Sequence, residues 1–189
     1  MSSMMDSVAG PQNKPRIYIA YYIRNKQNPT DEPFHVSPLI RPRPLRKDKP
    51  RSIRFRNVNK VVPPTSAQPV AHQEWQYEIL QDVIFQTTRL RGLLYLDKLP
   101  EGKSLQDVHE TCEKVFVPQY DPSESQNSSE WRYTNWLSDA LDALVRDGLI
   151  DREQIFKLGR QYVFDHATQE GFGAVVCCDV TGQPYNYSK

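Results

Sequence analysis

Residues 16–24 read RIYIAYYIR, in which Ile17, Ile19, Tyr21 and Ile23 alternate with Tyr18, Ala20 and Tyr22, and both sets are apolar. Strict alternation is the period of a β-strand, and apolar side chains in both phases require cover on both faces. The segment is therefore expected to be a central, covered strand, with the rest of the chain arranged around it. Residues 33–40 (PFHVSPLI) supply a next strand that Pro38 places at an edge or ends early. Residues 52–58 (SIRFRNV) set Ile53, Phe55 and Asn57 in one phase against Arg54, Arg56 and Val58 in the other, the pattern of a half-exposed strand. After a loop with Pro63, Pro64 and Pro69, Trp75, Tyr77 and Ile79 alternate again. Residues 89–99 (RLRGLLYLDKL) read as another buried strand, with a helix left open by the leucine content.

The period then changes. Ser104 with Asp107 three residues on starts a helix that repeats Leu105, Val108, Cys112 and Val115 at helical spacing. Residues 118–130 form a polar loop. The strongest helical stripe is Tyr133, Trp136, Leu137, Ala140, Leu141, Leu144 and Val145, stopped by Gly148. A third helix is expected from Asp151, burying Ile155, Leu158, Tyr162 and Val163, and residues 173–180 (GAVVCCDV) can form a last strand. Strands first and helices later predict an α+β fold: an antiparallel sheet of about four to six strands packed on about three helices.

With 38% hydrophobic residues among 189, the chain has material for one core. The expected organisation is a disordered leader over 1–15, a single domain over 16–180 with a basic, proline-rich loop near 41–51, and a flexible tail over 181–189. No apolar run is long enough to span a membrane, and the N-terminal residues carry no basic-then-apolar secretory pattern. The expected compartment is the cytoplasm. Three cysteines, Cys112, Cys177 and Cys178, are too few for a disulfide framework and read as reduced, buried thiols.

The net charge of +1 conceals a strong asymmetry. Between Arg41 and Lys60 nine basic residues face one acidic residue, while the remainder carries 15 basic against 22 acidic. Arg46, Lys47, Arg51, Arg54 and Arg56 in this block form a candidate polyanion-binding segment. Its prolines preclude a groove-reading helix and it holds a single aromatic residue, Phe55, which argues against nucleic acid as the partner.

Enzyme motifs are missing: the sequence has no G-x-S-x-G elbow, no Walker loop and no dinucleotide-binding glycine pattern, and no cofactor is called for. His109 and Cys112 have ligand spacing on one helix but no second ligand pair, so no metal site is expected. Asp139 and Asp142 fall on the solvent side of their helix.

Several blocks, taken in order, resemble a small fungal domain family of unknown function: RIYIAYYIR, the histidine-bearing FHVSPLI, EWQYEI, RLRGLLYLDKL and WRYTNWLSDALDALVRDG. The resemblance covers about residues 15–172. In that family the order of a strand histidine before a helix-start cysteine is similar to that of permuted papain-like thiol hydrolases and acyltransferases. There a helix-terminal thiolate attacks a carbonyl and the histidine acts as base. On this chain the resemblance places His35 at the histidine position, Trp136 at the helix tryptophan and Tyr133 where the cysteine belongs; residue 36 is Val rather than Trp and residue 132 is Arg rather than Asn. A phenol titrates near pH ~10 against ~8.5 for a thiol, so thiol chemistry is expected to be lost.

Three functional expectations follow. The first is a scaffold without its nucleophile that binds a small molecule or a protein, with Trp136, Asn135 and Tyr21 in the pocket beside His35 and Tyr133. The second is a cyclase or isomerase of secondary metabolism in which His35 and Tyr133 act as an acid/base pair. The third is polyanion binding through Arg41 to Lys60.

Overall fold

A computed structural model describes residues 14–24, 34–41, 52–82, 89–119, 131–150, 161–162, 165–166 and 176–185. Six strands, β1 (Arg16–Ile23), β2 (Phe34–Arg41), β3 (Ser52–Val62), β4 (His72–Asp82), β5 (Leu90–Lys98) and β6 (Val176–Cys178), form one sheet in the order β4-β3-β2-β1-β5-β6. Two helices, α1 (Leu105–Glu113) and α2 (Tyr133–Arg146), accompany it. None of the described helices is long and apolar enough to cross a membrane.

β1 lies between β2 and β5, antiparallel to both, and its two apolar phases serve two cores. Ile17, Ile19 and Tyr21 join the cluster that contains Trp136, Leu137, Ala140 and Leu144 of α2. Tyr18, Ala20 and Tyr22 join a second cluster on the opposite face with Leu39, Leu90, Leu93 and Cys177. The adjacent cysteines behave as strand neighbours must, Cys178 facing the first cluster and Cys177 the second.

The expectation of a wholly antiparallel sheet on three helices is corrected in two respects. The sheet is mixed, because β6 runs parallel to β5, with Leu93 opposite Cys177. A three-residue strand carries no sequence signal of direction; direction follows from the path of the chain that precedes it. Among the described residues there are two helices rather than three. The element expected from Asp151 falls outside them except at residues 161–162 and 165–166, which are helical. Of the leader expected over 1–15, residues 1–13 lie outside the described residues, as do residues 42–51 of the basic loop expected near 41–51. At the start of the expected tail, the Tyr185 N–H donates to the Cys177 carbonyl at 2.8 Å and its ring stacks on Tyr95 with centroids 4.3 Å apart.

Both helices start on side chains that satisfy otherwise unpaired N–H groups. Ser104 and Asp107 exchange hydrogen bonds at the head of α1, the Ser104 N–H donating to Asp107 Oδ2 at 2.7 Å and the Asp107 N–H to Ser104 Oγ at 3.3 Å. The Arg132 N–H donates to Asn135 Oδ1 at 2.8 Å at the head of α2. α2 ends at Gly148, whose φ of +67° lets the Leu149 N–H return to the Leu144 carbonyl at 2.8 Å. The space around Gly148 is open, so Gly148→Ala meets only the backbone cost of a left-handed conformation, about 1–2 kcal/mol. Its thermal midpoint is expected to fall by roughly 2–8 °C in a melting experiment.

β3 and β4 form a long hairpin paired without interruption from Ser52 opposite Asp82 to Val62 opposite His72. By contrast, β2 and β3 pair only at Leu39 opposite Arg54 and Ile40 opposite Ile53. Beyond those residues the two strands are no longer partners, and the sheet opens there. α2 packs across both strands.

Candidate functional site

The opening between β2 and β3 is a cleft of about 510 Å³, within the size range of small-ligand sites. Its walls come from the end of β1 (Tyr22, Ile23 and the following Arg24), the start of β2 (His35), the middle of β3 (Arg54 to Asn59), Trp75 of β4, Arg89 before β5 and Tyr133 at the head of α2. These elements converge because the end of β1 lies against the start of β5, the Ile23 N–H donating to the Arg89 carbonyl at 2.7 Å. His35 stands opposite Tyr22 in the β1–β2 ladder.

Four arginines and no carboxylate line this cleft among the described residues. The Arg54 guanidinium lies over the Tyr22 ring at 4.4 Å, and that of Arg24 over the Tyr133 ring at 5.6 Å. Arg56 is held from the side by Glu78, with Nε and Nη2 donating to Oε2 at 3.1 and 2.9 Å; Lys60 pairs with the other carboxylate oxygen. Those contacts, the Lys60 bond foremost, hold the Glu78 carboxyl below its usual range. Arg56 is thus partly neutralised, whereas Arg24 and Arg54 carry their charge over aromatic faces. The N-terminus of α2, which begins at Tyr133, adds the positive end of its helix dipole at the same end of the cleft.

His35 is both buried in this cleft and close to its arginines. Its pKa is pushed down to about 4, by burial first and then by Arg54, Arg24 and Arg56. The ring is therefore neutral near pH 7, and its Nε2 is buried with no hydrogen-bond partner. A histidine that titrates at about 4 when folded and near 6.5 when unfolded leaves the folded state with fewer bound protons between those values. Its contribution to stability is complete above pH ~6.5 and is lost as the pH falls toward 4. His35→Gln is expected to remove on the order of 2 kcal/mol of this acid sensitivity. Urea midpoints of the two proteins at pH 7.5 and 4.5 check it: the variant should lose less stability between the two, and equal losses would contradict the assignment.

The two residues singled out from the sequence, His35 and Tyr133, come together here with ring centroids 4.9 Å apart. The Tyr133 hydroxyl donates to the Phe34 carbonyl at 2.9 Å. Arg54 and Arg56 of the basic block line the same cleft, while Arg46, Lys47 and Arg51 lie outside the described residues. Three residues expected in the pocket sit elsewhere. Trp136 is 1% exposed in the core beneath the sheet, Tyr21 is buried in the same cluster, and Asn135 is exposed and caps α2.

No cysteine lines the cleft. All three are buried, and burial is the main cause pushing Cys112, Cys177 and Cys178 up to about 12. No cluster of three or more metal-ligating side chains occurs among the described residues.

Sequence reasoning missed Arg24, Arg89, Tyr22, Trp75 and Asn57. Asn57 had a signal: it is the polar member of the apolar phase of β3, and it is 2% exposed.

A family model described as a family of unknown function matches residues 14–185 of the chain, and so covers every element that lines the cleft. No curated protein and no solved structure matches it.

Proposed function

Because the chain belongs to the DUF6914 family, a family of unknown function, membership brings no activity with it, and we propose that the protein binds a compact anionic ligand in the cleft and carries out no thiol chemistry. The observation that carries this reading is the lining of the cleft, which holds Arg24, Arg54, Arg56 and Arg89 and no carboxylate among the described residues; the lowered pKa of His35 is in keeping with it. Arg54, Arg24 and Arg56 add to burial in disfavouring a positive charge at that point, and a site that repels a cation favours an anion. Among the three, Arg54 acts most strongly on His35, followed by Arg24 and then Arg56, which is also held by Glu78. Guanidinium groups suit planar or tetrahedral oxyanions, so carboxylate and phosphate are the two candidate head groups.

The resemblance to permuted papain-like scaffolds is part of this proposal. On that view the cleft is the inherited acyl-binding site, with Tyr133 in the nucleophile's place and its hydroxyl committed to the β2 backbone. A fungal source and a cytoplasmic setting complete the reading; three cysteines, none of them in a disulfide, are in keeping with a reducing compartment. A cleft of about 510 Å³ suits one compact ion better than a long polyanion.

Thermal melting of the full chain tests it. Sodium phosphate, added against sodium chloride of equal ionic strength at pH 7.5, is expected to raise the melting temperature with a saturable concentration dependence. A curve indistinguishable from that in chloride would overturn the reading for phosphate, and the same assay with acetate and citrate extends it to carboxylates.

A further inference from the structure

β4 is the outer strand of the sheet, with β3 on one side and no strand on the other among the described residues. Its ladder with β3 uses the backbone groups that point inward. Between Gln73 and Gln81 the alternate N–H and C=O groups that point outward have no backbone partner among the described residues. Such an edge pairs readily with another strand and is normally blunted by a proline, a bulge or a lysine. The nine residues QEWQYEILQ contain no proline and no lysine, and their pairing with β3 runs without a register shift. Ile79, on this strand, is 42% exposed. A groove of about 470 Å³ opens beside the edge, lined by Trp75 and Tyr77 of β4, by Val115 and Val117 of the segment after α1, and by the carboxylates of Glu74 and Glu113.

We propose that this edge pairs with the same edge of a second copy of the chain, antiparallel about a two-fold axis at Tyr77, so that the two sheets join into one. A two-fold contact requires a strand complementary to itself, and β4 is so in this register. On the helix-covered face Trp75 meets the partner's Ile79, Tyr77 meets its own copy and Gln73 meets the partner's Gln81. On the other face Glu74 meets the partner's Leu80 and Glu78 meets the partner's Gln76. Aromatic and β-branched side chains directly opposite each other stabilise paired strands, and like charges directly opposite destabilise them. A shift of two residues one way sets Glu74 opposite the partner's Glu78, and a shift of two the other way sets Glu78 opposite its own copy. The two carboxylates therefore select the register with Tyr77 on the axis. The contact would cover Ile79 and satisfy the outward backbone groups, and it does not depend on what the cleft binds.

Sedimentation equilibrium of the full chain tests this. At tens of micromolar the wild type is expected to show twice the mass of one chain and to dissociate on dilution. Gln76→Glu places a carboxylate opposite the partner's Glu78 at two points of the dimer and is expected to raise the dissociation constant about tenfold or more. Gln76→Lys places opposite charges there and is expected to lower it. Should Gln76→Glu not fold, Ile79→Lys, at an exposed position, is expected to weaken the dimer in its stead. A chain that stays monomeric at millimolar concentration overturns the proposal and leaves the edge to an extended peptide of another protein. A dimer whose affinity is the same in all three variants overturns it as well, because its interface then lies elsewhere.

Discussion

Arg54→Ala is expected to weaken anion binding by about 10- to 100-fold and to leave the melting temperature of the unliganded protein within a few degrees of wild type. The first number follows from the 1.5–3 kcal/mol typical of a hydrogen bond to a charged group, at about 1.4 kcal/mol per tenfold. The second follows from the placement of the Arg54 side chain, whose guanidinium covers the Tyr22 ring and fills no part of the helix-side core. Arg56→Ala is the informative contrast. Arg56 is bonded to Glu78 through two nitrogens, so much of its charge is already compensated, and its loss should cost less affinity and more hairpin stability. Arg54→Lys should recover part of the affinity, since it restores the charge without the planar fork. Titration of each variant with phosphate at one fixed salt concentration measures all three; equal losses at positions 54 and 56 would contradict the division of roles.

The largest expected effect on stability belongs to Trp136→Ala. This side chain is the largest of those fully buried, and it packs among β1, β3 and α2 with the Tyr77 ring 5.9 Å away. Truncating a buried tryptophan costs about 3–5 kcal/mol, because the lost transfer energy is joined by a cavity that the surrounding sheet cannot close. For a chain of this length the melting temperature should drop by roughly 6–20 °C. A pocket residue would behave differently, losing ligand affinity with little change in stability. Differential scanning calorimetry without ligand distinguishes the two, and a drop of less than about 2 °C would return Trp136 to the cleft.

The central strand, the hairpin and α2 were legible because their patterns are local. RIYIAYYIR shows apolar residues in both strand phases, and the stripe from Tyr133 to Leu144 keeps one helical face, so each states its own burial. The direction of β6 was not legible: VCC is too short to have a pattern, and its parallel pairing with β5 depends on how residues between α2 and Val176 travel. The cleft was half legible. His35 and Tyr133 were found through the resemblance, and Arg54 and Arg56 through their charge. Arg24, Arg89 and Trp75 were not, because the cleft arises where β2 stops pairing with β3 after only two residue pairs, and no residue announces the end of a ladder. Asn57 is the exception that sequence could have used, since a polar residue in the buried phase of a strand requires a partner. Trp136 shows the opposite error: an aromatic side chain next to a candidate site in sequence faced the core, one helical turn away from Tyr133.

The most direct measurement is a crystal structure of the full chain grown with sodium tungstate, an electron-dense analogue of phosphate. The account predicts an anomalous peak inside the cleft, within hydrogen-bonding distance of the Arg54 guanidinium and next to His35 Nε2. Tungstate bound only elsewhere on the surface, with the cleft empty at saturating concentration, would contradict it.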